Sequence, residues 1–141
     1  MQKIDPAAEP KAFLRQIRTM EREIDELEQV KNKLRASLVS VGGMGGSSSG
    51  SPDPDRFGRV FGRIEAVEAR IDARIDEMNR VKELALEIIE RIPDGAQRSV
   101  LRRRYLLGQD WETIAGTLHY DERTVFRIHG AALKTFRESC Q

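Results

Sequence analysis

Two stretches of this chain repeat apolar residues at alternating three- and four-residue steps, and a segment rich in glycine and serine separates them. With Ile17 taken as position a of a heptad, Ile24, Lys31 and Leu38 follow at a, and Phe13, Met20, Leu27, Leu34 and Val41 fall at d. The second stretch places Phe57, Ile64, Ile71, Met78 and Ala85 at a, with Val60, Val67, Arg74, Val81 and Ile88 at d. A seam of this period is satisfied only when another helix covers it. Alternating β-type runs are absent, so the chain is expected to be all-α. The intervening GGMGGSSSGSPDP, residues 42–54, carries no apolar pattern and reads as a flexible connector. Asp53 is expected to cap the second helix, with Pro54 at its first position and Pro93 just past its end.

A long antiparallel, coiled-coil-like hairpin over residues 1–92 follows if the two seams meet within one chain. Pairing residues whose numbers sum to 98 sets Phe13 against Ala85, Ile17 against Val81, Leu27 against Ile71 and Leu34 against Ile64. Lys31 and Arg74 interrupt the stripe, and their long stems pack while their charged ends reach water. The same seam also suits assembly between chains, so a homo-oligomer stands beside the hairpin. Closure within one chain leaves Val30, Phe61, Ile75, Leu84 and Ile89 as a second contact set.

Composition narrows the function classes. The net charge is +1, yet residues 91–141 hold nine basic and six acidic side chains, which leaves the remainder negative. Cys140 has no second cysteine to pair with, and His119 and His129 have no companions at ligand spacing, so neither a disulfide nor a metal site is expected. No run of about 18 apolar residues suggests a membrane span, and MQKIDPAAEP lacks an apolar signal core. A cytoplasmic protein without membrane contact is the expectation. Nucleophile–base pairs and phosphate-cradling loops after a strand are also missing, so neither an enzyme nor a cofactor is expected.

The functional signal lies in residues 93–141. A short basic helix is expected over 96–108, ended by Gly108. Asp110 caps a second helix, residues 111–118, with Trp111, Ile114, Ala115 and Leu118 on one face. After His119 and Tyr120, Asp121 caps a third helix with Val125, Ile128, Ala132, Leu133 and Phe136 facing inward. Ala115 is small where the helices cross, Val125 packs beneath the crossing, and His119 occupies the turn position that needs a left-handed backbone. The pattern is that of a three-helix helix-turn-helix domain. Trp111 is expected in the core and His129 at the surface.

The segments VLRRRY, DWETIAGTL and DERTVFRIHGAAL, across about residues 94–137, resemble region 4 of bacterial sigma-70 factors, the module that reads the −35 promoter element. Arg104, Tyr105, Ile114, Ala115, Leu118, Thr124, Val125, Ile128, Ala132 and Leu133 match that pattern, while Thr113, His119 and Asp121 depart from it. Joined to a coiled-coil-like N-terminal half, the segment is similar to the late-gene transcription regulators of the RinA and ArpU group in phages and prophages. That resemblance implies a sequence-specific regulator acting on double-stranded DNA in the bacterial cytoplasm. Glu122, Arg123, Phe126 and Arg127 would then meet base edges in the major groove. Arg98, Arg102, Arg103, Thr124 and Lys134 would meet phosphates. An ordinary solvated face is the competing reading of these side chains, and for Arg104 a carboxylate partner inside the fold. Two other functions fit the same domain: a DNA-packaging accessory of the small-terminase kind, and an adaptor that binds RNA polymerase without touching DNA.

Overall fold

The computed structural model describes residues 3–42 and 54–141, apart from the side chains of residues 40–42 and 54. The predicted connector, the Asp53 cap and the Val41 side chain lie outside the described residues. Among the described residues there are five α-helices: α1 (Pro10–Gly42), α2 (Pro54–Glu90), α3 (Gly95–Leu101), α4 (Trp111–Leu118) and α5 (Glu122–Glu138). No strand occurs among the described residues. The protein is all-α, as the apolar period requires.

Both long helices open on a proline, whose missing N–H falls where a helix has no internal acceptor to offer it. The end of α2 tightens through Arg91 and Ile92, whose amides reach back to the carbonyls of Ile88 and Ile89 at 3.0 Å. Arg98 Nη1 then donates to the carbonyls of Ile92, at 2.6 Å, and Pro93, at 2.9 Å. Asp94 caps α3 by accepting from the Gln97 amide at 3.0 Å. The expected single helix over 96–108 is instead two pieces. After Leu101 the backbone widens into a π-helical turn, Arg102–Leu106, closed by the Leu107 amide on the Arg102 carbonyl at 2.9 Å and followed by Gly108 at φ 69°. Glycine meets no Cβ penalty at that angle.

The chain forms two compact units, and their boundary differs from the division after residue 92 that the sequence suggests. One unit comprises Met1–Met20 and Met78–Gln141, the other Glu21–Glu77. In the first, Phe13, Leu14 and Ile17 of α1 share one core with Ala85, Ile88 and Ile89 of α2, with Leu101 and Tyr105, and with Ala132 and Phe136 of α5. Phe13 and Phe136 lie 6.2 Å apart between ring centroids. Ile89, expected as a spare contact on the hairpin's flank, is fully buried here, because α2 is covered on more than one side.

In the second unit α1 and α2 are antiparallel: Glu23 meets Arg74 at 3.0 Å and Arg35 meets Glu68 at 3.2 Å. Val60, Ile64 and Ile71 are its buried hydrophobics. Arg74, at a d position, runs its guanidinium out to Glu23 and Glu77, while Lys31 pairs with Glu28 at 3.0 Å. Both cations bury much of their length and end on carboxylates. No helix among the described residues is long and apolar enough to cross a membrane.

Candidate nucleic-acid interface

The α4–α5 pair is built from two like caps and one left-handed turn. Asp110 Oδ1 accepts from the Thr113 amide and Asp121 Oδ1 from the Thr124 amide, both at 2.7 Å. Hydrogen bonds from Thr113 lower the pKa of Asp110, and those from Thr124 lower that of Asp121, so each cap keeps the charge that suits a helix N-terminus. Between the helices His119 adopts φ 61°, ψ 38°. The Tyr120 amide reaches back to the Ala115 carbonyl at 3.0 Å and closes the end of α4. The turn has the left-handed geometry expected at His119. Val100, Ile114, Ala115 and Val125 form the small core under the crossing, with Trp111, Leu118 and Ile128 packed at its edge.

That core fixes which side of α5 faces out. Val125, His129, Ala132 and Phe136 are buried, so Glu122, Arg123, Phe126 and Arg127 stand on the opposite, exposed side of the first two turns. Lys134 extends the same face by two turns. Phe126 is 47% exposed, and its inner side rests against Trp111 in an edge contact, 5.2 Å between centroids. Trp111 is only half-buried rather than a core residue, because Phe126, His129 and Arg104 surround it in place of a closed apolar shell. Thr124 is half-buried beside its cap.

The arginines of α3 and the π turn are committed more fully than the sequence implied. Arg98 serves the two carbonyls beyond α2, Arg102 pairs with Glu90 at 2.9 Å, and Arg103 Nε donates to Ser99 Oγ at 3.2 Å. The carboxylate partner imagined for Arg104 belongs instead to Arg102. Arg104 donates to the Gln109 carbonyl at 3.1 Å and lies 4.3 Å over the Trp111 ring. Burial first, and then the Arg18 charge, lower the Arg104 pKa from its usual value. The three predicted phosphate ligands before α4 thus have intramolecular partners, while Lys134 stands exposed.

His129 corrects an expectation. It is 8% exposed, its Nε2 lies 2.6 Å from Tyr105 Oη, and its ring meets Trp111 edge-on at 4.7 Å. Burial, reinforced by Lys11 and Arg104, pushes its pKa down to about 4, so the ring is neutral at pH 7. Burial likewise raises the Tyr105 pKa and keeps the phenol protonated. The signal was present in the sequence: His129 lies four residues after Val125 and seven before Phe136, on the same inward stripe. Among the described residues no cluster of histidine, cysteine and carboxylates could hold a metal ion. No protein-family model matches the chain, nor does any curated protein or solved structure.

Proposed function

We propose that this chain is a sequence-specific DNA-binding regulator of transcription that inserts α5 into the major groove of duplex DNA. One observation carries the reading. The first two turns of α5 hold Glu122, Arg123, Phe126 and Arg127 exposed on one side, above a left-handed turn and a cap that fix the helix's start. A groove about 12 Å wide admits a helix presented in this way. Arg123 and Arg127 have the fork geometry for guanine O6 and N7, Glu122 accepts from cytosine N4, and Phe126 offers an apolar edge to a thymine methyl. Lys134 anchors a phosphate and fixes register. The resemblance of residues 94–137 to the promoter-reading module of sigma-70 factors supports transcription as the process and the bacterial cytoplasm as the place.

The test begins with selection of a preferred duplex from a random pool. Arg127→Ala is expected to lose about 1–3 kcal/mol of discrimination between the selected and random duplexes, whereas Lys134→Ala weakens both alike. A chain that binds no duplex even at low salt overturns the reading. A chain that binds duplexes with equal affinity whatever their sequence overturns the assignment of α5 as reader.

A further inference from the structure

Phe13, Leu14 and Ile17 hold the start of α1 in the core that also contains Tyr105 of the π turn and Phe136 of α5. The flank of those same turns carries Lys11, Arg15 and Arg18, spaced four and then three residues apart, which sets them in one row along the helix. Lys11 and Arg15 are exposed and Arg18 is half-buried. Among the described residues no carboxylate forms an ion pair with any of the three.

The row belongs to the same compact unit as α5. Arg18 is near enough to act electrostatically on both Arg104 and the α4 cap Asp110, and Lys11 acts on His129 of α5. Arg104 in turn covers Trp111, and Trp111 braces Phe126. Arg18 thus lies within electrostatic range of Arg104, whose stack on Trp111 leads to Phe126 on the exposed face of α5. Like charges gathered without a salt-bridged carboxylate repel one another, Asp110 offsetting this only from a distance, and an outside anion relieves that cost. From Lys11 to Arg18 the helix rises about 10 Å, comparable to about three phosphates of one DNA strand at ~3.4 Å of duplex axis each. Arg98, Arg102 and Arg103, by contrast, already have partners within the fold.

We infer that Lys11, Arg15 and Arg18 of α1 form a phosphate-binding row that grips the duplex backbone beside the groove entered by α5. The inference rests on the DNA-binding reading above and assigns to the N-terminal helix a share of the affinity but none of the sequence choice.

The experiment compares three full-length proteins on one random-sequence duplex by fluorescence anisotropy across a salt series: the natural chain, the triple variant Lys11→Gln/Arg15→Gln/Arg18→Gln, and the control Lys33→Gln/Arg56→Gln/Arg63→Gln. The control removes the same charge from exposed positions in the other unit. Each lost phosphate contact lowers the log-log salt slope by about 0.9, so the triple variant should fall by about 2–3 with at least a tenfold loss of affinity, and the control should keep the natural slope. Equal losses in the triple variant and the control reduce the effect to net charge and overturn the row. A natural chain that binds with a steep slope the triple variant fully retains overturns the row and leaves the α5 reading standing. A natural chain that binds heparin but no duplex overturns both. Should the triple variant lose its helical circular dichroism, the single change Arg15→Gln at an exposed site decides, through a slope drop of about 0.9 or none.

Discussion

The two compact units use the same kind of apolar stripe and bury it to very different depths. In Met1–Met20 with Met78–Gln141, α1, α2, α3, the π turn and α5 converge, and Leu14, Ile17, Ile89, Leu101, Ala132 and Phe136 are fully enclosed. In Glu21–Glu77, among the described residues, only two helices face one another. There Val60, Ile64 and Ile71 are buried, while Phe57 at 49% and Phe61 at 50% stay half in water. A helix pair can cover one seam only, so a side chain on its flank, such as Phe61, or at its end, such as Phe57, keeps much of its hydration. A third or fourth helix closes the margin. The heptad is alike in both units, and the number of partners around it decides what the heptad yields.

The largest test of that contrast is a pair of matched truncations. Phe136→Ala should destabilise the first unit by about 3–5 kcal/mol in urea unfolding, because it removes an enclosed ring and leaves a cavity. Phe57→Ala should cost about 1 kcal/mol, since half of its ring is already hydrated. Equal losses would break the contrast.

Acid gives the next largest effect and sharpens the distinction, because residues 21–77 contain no histidine. The His129 pKa is about 4 in the folded protein against 6.5 for an ordinary histidine. The unfolded chain therefore binds the extra proton first. The stabilising effect of a neutral His129 is complete above about pH 6.5 and is lost as the pH falls toward 4, by about 3 kcal/mol in all. Stability measured from pH 7 to 4 should fall through that window, and His129→Gln should flatten the fall. An unchanged acid limb in the variant would show that His129 does not govern it.

The smallest effect is expected at the ion pair that crosses between α1 and α2 in Glu21–Glu77. Arg74 and Glu23 are both substantially exposed, so Arg74→Gln should cost only about 0.2–1 kcal/mol, and salt should diminish the difference. A loss of several kcal/mol would mean that this unit depends on its ion pairs and not on its seam.

The positions of the helices and their ends were largely legible in the residues. Asp110 and Asp121 stand before their helices as caps, Pro54 at a helix start and Gly108 past a helix end, because each acts within one turn of its own backbone. His119 in the left-handed turn belongs with them. The outward face of α5 was legible too, since Val125, Ala132 and Phe136 fix the inward one by period. The widening of the backbone at Arg102–Leu106 was not, because its closing hydrogen bond from the Leu107 amide selects the carbonyl five residues back, a choice that no residue type in the segment marks.

The sequence by itself determined that this chain is helical, where its caps fall and which stripe of each helix is apolar, since these follow from interactions three or four residues apart. Tertiary structure decided what meets across larger separations. Arg102 could have paired with any nearby carboxylate or with none, and the end of α2 brings Glu90 to it. Tyr105 and His129 are 24 residues apart, and only the packing of α5 across the π turn brings them to 2.6 Å and holds the imidazole neutral. Periodicity names the face on which a side chain lies, but partners from distant turns become neighbours only when several helices enclose one core.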